Sequence, residues 1–221
     1  MINNPKAIAL PPVEYMEFVC GAIPEVQDKF LSVGEQLAEF LLKLGMLAES
    51  TDFLDIGCGC GRLTRFLVKK NISSYTGFDR HPGMIEWCQK EISPLAPNFQ
   101  FDLFELKSAY DDWDKIDGKI NAATFNFPYP DNSFNAILLA SVFTHMPLNE
   151  TAQYLLEIGR VLSPNGQVLL SVFLAEEEAY SDQIDFYYTK KEFLTAVSEA
   201  NLSAEFKALT ARHNWYLLKP L

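Results

Sequence analysis

Apolar positions along this chain alternate between helical and strand periods. Val33, Leu37, Phe40, Leu41 and Leu44 fall on one helical face from Leu31 onward, and Gly45 ends the segment. Residues 53–56 form a short apolar run that leads into glycines and reads as a buried strand; Leu63, Phe66 and Leu67 follow at helical spacing. The alternation repeats with a strand over 75–78, a helix over 82–91 opened by Pro82 in its first turn, and a strand over 99–103. Residues 105–130 are irregular, with Asp111, Asp112, Asp114 and Asp117 mixed among lysines. Regular structure resumes with a strand over 134–140 and a helix over 149–162, with Asn149 as N-cap and Leu155, Ile158 and Leu162 on one face. Ser163-Pro164-Asn165-Gly166 predicts a turn, because proline supplies a fixed φ and Asn-Gly a positive one. A strand over 168–173 follows, then a capping-box signature in Thr189 and Glu192 ahead of Phe193 and Val197, and closing strands over 202–209 and 214–218. Strands and helices alternating at this pitch predict a doubly wound, mostly parallel sheet.

Composition narrows the class. A length of 221 residues fits one large domain or a domain with an attached cap, and 48% apolar against 21% charged residues supplies a real core. Against 18 Lys and Arg stand 29 Asp and Glu, a net charge of −11, which argues against a phosphate-tracking nucleic-acid binder and against docking on anionic membranes. No stretch approaches the ~18–20 uninterrupted apolar residues of a membrane span. Residues 1–12 hold one lysine and no apolar block before a cleavage site, so no secretory leader is expected. Cys20, Cys58, Cys60 and Cys88 are too few and too irregular for a disulfide framework, which leads to the expectation of a reducing, cytoplasmic setting.

Candidate chemistry concentrates in Leu54-Asp55-Ile56-Gly57-Cys58-Gly59-Cys60-Gly61-Arg62. Gly57 lets the chain turn sharply out of the strand, and Gly59 and Gly61 leave room for a ligand against the backbone at the strand's carboxyl end. A dinucleotide fingerprint, G-x-G-x-x-G, needs its third glycine where this chain has Arg62, which counts against a nicotinamide dehydrogenase.

The pattern Asp55-x-Gly57-x-Gly59-x-Gly61 resembles the first motif of class I S-adenosylmethionine-dependent methyltransferases. Tyr75-Thr76-Gly77-Phe78-Asp79 resembles that family's second strand, which ends in the acid that holds the ribose hydroxyls. Asp79 lies 24 residues after Asp55, close to the ~20-residue offset between a glycine loop and a ribose-binding acid. Residues 128–135 are similar to the family's run into the fourth strand, and residues 160–167 to its helix-turn-strand element before the fifth. The likeness spans 53–173 and is nearest to bacterial methyltransferases of small molecules or sugars.

That resemblance implies a seven-stranded, mostly parallel doubly wound sheet on residues 51–221, with residues 1–50 as a helical cap contributing to the substrate site. It implies S-adenosyl-L-methionine as cofactor. It places Asp55 near the ligand's amino group, Gly57, Cys58, Gly59 and Gly61 around the methionine moiety, and Asp79 on the ribose. Arg80 and Met84 border the adenine, and Ala140 stands at the end of the fourth strand. The adenine amino group is usually met by an Asp near the end of the third strand; Asp102 is the candidate, while alignment backward from Pro128 reaches Ala123 or Thr124.

Outside the shared pattern, His145 lies just past the fourth strand, on the side where methyl donor and acceptor are expected to meet. A neutral imidazole there can take a proton from a hydroxyl or amine; it can equally be a pocket-shaping histidine bonded to backbone. Tyr15 and Tyr129 are candidates for the substrate pocket, although with 17 Phe in the chain aromatic residues are also core. Cys58 and Cys60 have no second ligand pair, so no metal is expected, and Cys88 with Ile85 and Ile92 reads as core. Asn126-Phe127-Pro128-Tyr129 resembles the Asn-Pro-Pro-Tyr signature of amide- and exocyclic-nitrogen methylating enzymes, but it precedes the fourth strand instead of following it.

The expected function is methyl transfer to oxygen or nitrogen of a small-molecule acceptor, sugar or other metabolite, by in-line displacement. The alternative is another S-adenosyl-nucleoside-binding protein on the same fold, aminopropyl transferase-like or non-catalytic. Neither nucleic acid nor membrane is an expected partner, and the sequence leaves the oligomeric state open.

Overall fold

The computed structural model describes residues 8–108, 111, 116–182 and 184–221. Residues 1–7, which open the segment read for a leader, and Asp112 and Asp114 of the acidic excursion lie outside them. The chain divides into two compact units, Met1–Phe104 and Glu105–Leu221.

The first unit holds helices α1 (Val13–Cys20), α2 (Val26–Lys43), α3 (Thr64–Leu67) and α4 (Pro82–Glu91), and strands β1 (Asp52–Ile56), β2 (Ser74–Asp79) and β3 (Phe99–Leu103). The strands lie parallel in the order β3-β2-β1. Phe53, Leu54 and Ile56 are all buried, as expected of a parallel strand covered on both faces. Helix α2 starts earlier than the apolar spacing predicts, and its buried stripe is Val26, Phe30, Gly34, Leu37, Ala38 and Leu41. Val33 and Phe40 flank that stripe instead of leading it. Gly45, at φ 72°, closes the segment as expected. Gly34 has no room for a side chain, since a Cβ there would lie 2.2 Å from the Arg62 carbonyl oxygen. The N-terminal segment is pinned by Arg65, a fully buried side chain on α3 whose Nη2 donates to the carbonyls of Ile8 (2.7 Å) and Ala9 (2.9 Å).

The second unit holds β4 (Phe134–Leu139), helix α5 (Leu148–Val161), β5 (Leu162–Ala175), β6 (Tyr180–Asp182), β7 (Asp185–Thr189), helix α6 (Lys190–Glu199), β8 (Leu202–Thr210) and β9 (His213–Pro220). Strand β5 is parallel to β4, antiparallel to β9, and at its last residues, Phe173 to Ala175, parallel to β7. β6 and β7 form a hairpin, and β8 and β9 pair antiparallel. All seven expected strands form, and the β6–β7 hairpin adds two that the sequence pattern did not announce.

Two local expectations are corrected. The predicted turn at Ser163–Gly166 is extended chain inside β5: the register moves from Phe134 opposite Leu162 to Ala136 opposite Gln167, so extra residues bulge from the strand. The Ser163 hydroxyl ties the bulge down by donating to the Phe134 carbonyl at 2.5 Å. The N-cap of α5 is Pro147, not Asn149, which lies inside the helix. The Thr189–Glu192 capping box forms in full at the start of α6.

The motif segments around Pro128 and Arg160 explain each other. Arg160 donates to the carbonyls of Tyr129 (2.8 Å) and Phe127 (2.9 Å) and to the Asp131 carboxylate (2.8 Å). Glu157 accepts from the Phe127 amide at 2.7 Å and pairs with Arg160. Residues 127–131 are thus bolted to α5 ahead of β4.

Candidate functional site

In the first unit the glycine loop leaves β1 with Gly57, Gly59 and Gly61 all at positive φ (72°, 53° and 74°), backbone that a side chain would strain. The loop is laced to the end of β2: the amides of Gly57 and Cys58 donate to the Phe78 carbonyl, and the Gly59 amide donates to Asp79 Oδ2 at 2.8 Å. Asp79 Oδ1 accepts from the His81 amide at 2.9 Å, and the His81 ring caps α4 by accepting from the Met84 amide at 3.3 Å. Burial raises the Asp79 pKa from its ordinary value, opposed by the His81, Gly59 and Arg80 amides. The Arg80 amide is a third backbone donor to this carboxylate, and an ionised carboxylate has about four acceptor positions.

Asp55 is nearly inaccessible at 3% exposure and accepts from the Tyr75 hydroxyl at 2.7 Å, which in turn accepts from Thr64 at 2.7 Å. Burial pushes the Asp55 pKa up to about 7, against the lowering by Tyr75 and Arg62. Arg62 reaches α1, donating to the Val19 carbonyl at 2.9 Å and approaching the Cys20 thiol at 3.7 Å. Helix α1 covers this region: Met16, Cys60 and Met84 share one buried cluster, with Tyr15, Phe18 and Val19 packed against it. The Tyr15 and Phe18 rings meet the His81 ring edge-on, at 5.2 and 5.7 Å. Tyr15 therefore sits with the residues expected to hold the cofactor. Cys58, Cys60 and Cys88 are buried thiols whose pKa values burial raises. No group of residues able to hold a metal occurs among the described residues. Asp102 accepts from Gln100 at 2.7 Å on β3, with Phe78 as its register partner on β2; Arg80 follows directly on Asp79.

In the second unit β4 ends at Leu139 and is followed by Ala140, then Ser141 at φ 63°, and then a 3₁₀ turn over Phe143–His145. A non-glycine residue in that left-handed region marks a chain held there by its surroundings. Here the Ser141 amide donates to Ser171 Oγ at 3.0 Å, and both serine hydroxyls approach His213 Nδ1, at 3.4 and 3.3 Å. His145 Nδ1 lies 3.2 Å from Asp185 Oδ1 and 3.1 Å from the Ile184 carbonyl. Burial holds the His145 pKa below the usual histidine value, outweighing the raising contacts of Ile184 and Asp185. Tyr129 does not join this end of the unit. It packs against Phe134, the first residue of β4, at 5.3 Å between ring centroids, and a six-residue strand spans roughly 20 Å.

The sequence pattern missed Asp185, Arg212, Tyr188 and Ser141. Three consecutive aromatic residues, Phe186-Tyr187-Tyr188, are the one local signal of a strand there.

A parallel α/β sheet whose first strand opens into a three-glycine loop, with acids at the ends of its first two strands, defines the class I S-adenosylmethionine-dependent methyltransferase architecture. The chain belongs to the family described as a methyltransferase domain, whose model matches residues 54–170. It is similar to methyltransferase GfsG of Streptomyces halstedii, 25% identical over 150 residues, covering 67% of this chain and 47% of the relative, so the chain spans about half of that protein's length. It is also similar to a malonyl-[acyl-carrier protein] O-methyltransferase of Acetivibrio thermocellus, 24% identical over 209 residues, covering 78% of this chain and 72% of the relative. Among solved structures, a SAM-dependent methyltransferase of Methanosarcina mazei aligns with TM-score 0.61 and 18% identity, over 81% of this chain and 97% of that one. Magnesium protoporphyrin IX methyltransferase of Synechocystis with bound SAH aligns with TM-score 0.62 and 13% identity, over 91% and 90%. The [4+2]-cyclase SpnF shares the fold at TM-score 0.61 and 16% identity, over 84% and 80%.

Proposed function

We propose that this protein transfers the methyl group of S-adenosylmethionine to an oxygen or nitrogen of a small-molecule acceptor. The observation that carries the reading is the glycine loop with its two acids: three positive-φ glycines whose backbone leaves room for a ligand, tied to the Asp79 carboxylate at the end of β2. These residues fit the cofactor's chemistry. Asp79 would accept from both ribose hydroxyls, Gly57, Cys58, Gly59 and Gly61 would flank the methionine moiety, and Asp55 would set a negative charge beneath its ammonium group. Arg80, Met84 and Asp102 would border the adenine, and Ala140 the end of the fourth strand. The cofactor supplies an electrophilic methyl on a sulfonium; the protein's share is to hold and orient it and to exclude water. Residues 1–50 act as the cap in this reading, with Tyr15 closing on the cofactor residues. His145 takes the acceptor's proton, consistent with a pKa that keeps it neutral near pH 7. The acidic surface suits a small acceptor better than a nucleic acid.

Calorimetric titration of the purified protein with S-adenosylhomocysteine and with NAD tests the cofactor. Saturable binding of the first alone is expected, and no S-adenosylhomocysteine binding at millimolar concentration would sink the proposal. Turnover of labelled methyl donor against a panel of hydroxyl and amine metabolites tests the transfer. Tight binding without transfer to any acceptor would favour a non-catalytic member of the fold.

A further inference from the structure

His145 is gripped from the β6–β7 hairpin, which the sequence pattern did not connect to it. Its Nδ1 faces the Asp185 carboxylate at 3.2 Å and the Ile184 carbonyl at 3.1 Å. Both groups can only accept a hydrogen bond, so Nδ1 must carry the proton, and in the neutral ring the lone pair then belongs to Nε2. Asp185 is itself held: Arg212, in the turn before β9, donates to its other oxygen at 2.8 Å and to the Tyr187 hydroxyl, while its guanidinium lies 4.4 Å over the Phe173 ring. The backbone around His145 is fastened by the same strand. Tyr188, 2% exposed, has its hydroxyl 2.6 Å from the carbonyls of both Phe143 and Met146, and 2.8 Å from Thr151. The phenol carries one proton for those carbonyls and accepts from Thr151, so the 3₁₀ turn that bears His145 is anchored at both ends to β7. A histidine that only filled space would not need its tautomer and its backbone both specified from one added hairpin.

We propose that Asp185, braced by Arg212, and Tyr188 are positioning residues that fix His145 as the Nδ1–H tautomer, so that Nε2 receives the proton of the acceptor's hydroxyl or amine group. This rests on the proton-acceptor role given to His145 above. In the step, the acceptor's lone pair forms the new bond to the methyl carbon. The S–CH₃ bond breaks with its electron pair staying on sulfur, and the acceptor's proton passes to Nε2. The resulting imidazolium sits beside the Asp185 carboxylate, which stabilises it. Among the described residues, Asp185 on β7 and Arg212 before β9 bring charge to the ring; the first favours the imidazolium and the second opposes it.

Long-range ¹H–¹⁵N correlation spectra of the cofactor-free protein, with His145 assigned by loss of its signals in His145→Asn, read the tautomer directly. The expected result at pH 8 is a protonated Nδ1 and a lone-pair Nε2; the opposite tautomer overturns the proposal. Asp185→Asn keeps the shape and removes the anion, so the His145 titration midpoint should move down. The low-pH limb of kcat/KM should move down with it, and kcat should fall by about tenfold or more. An unchanged midpoint in a folded Asp185→Asn protein overturns it. If that variant does not fold, the wild-type tautomer still decides. Full activity in His145→Asn, with the tautomer as expected, overturns the proton-acceptor role instead, a result distinct from failure of the Asp185 grip.

Discussion

Asp55 and Asp79 are both drawn into the protein, but different partners hold them and different behaviour follows. Asp55 is bonded to one phenol and lies beneath the loop, with burial carrying its pKa to about 7. The folded protein therefore holds that proton more tightly than the unfolded chain does. Asp55 erodes stability as pH rises from the usual carboxylate range toward 7, and the loss is complete above it. In the proposed site a ligand ammonium would reverse this locally, because it favours the ionised acid. Affinity for S-adenosylhomocysteine is expected to rise roughly 10- to 100-fold between pH 5 and pH 7, and Asp55→Asn should flatten that profile in calorimetry; a slope unchanged in the variant would remove Asp55 from the linkage. Asp79 accepts from the Gly59, His81 and Arg80 amides, so Asp79→Ala loses the loop tether and, in the proposed site, the ribose acceptors. Its dissociation constant is expected to rise at least tenfold, measured the same way. The acids and glycines were legible as residues because their order along the chain is the motif. Asp185 was not, because its importance lies in facing His145 across the fold.

Elements were read best where one face is buried in a regular period. Helix α4 and strand β3 have the bounds their patterns predict, Pro82–Glu91 and Phe99–Leu103. The 163–166 turn was misread because local turn propensity lost to pairing with β4 on both sides of the bulge. The β6–β7 hairpin escaped because β6 is exposed along its length, so no alternation marks it. Helix α2 meets the glycine loop through Gly34, and Gly34→Ala would drive a Cβ into the Arg62 backbone. The expected cost is about 1–3 kcal/mol in urea unfolding, with weakened cofactor binding because the clash lands on the loop. Unchanged stability would refute the close approach. At α6, Thr189→Ala removes the capping box and should cost about 1 kcal/mol.

At the scale of the whole molecule, charge makes the prediction. With a net charge of −11 the surface repels polyanions, and no retention of tRNA in gel-shift assays is expected at low salt. Salt-sensitive RNA binding would expose a local basic patch and reopen the acceptor class. No helix among the described residues is long and apolar enough to cross a membrane.

The sequence by itself determined the alternation of strands and helices, the glycine loop and the acid at the end of the second strand. These rest on local periodicity and on backbone conformations that only particular residues adopt. Tertiary structure alone decided the partners: Arg62 on α1, Arg65 on the N-terminal segment, Arg160 on the loop before β4, and Asp185 on His145. Such pairings depend on which distant segments the fold brings within hydrogen-bond range, and no local period encodes that.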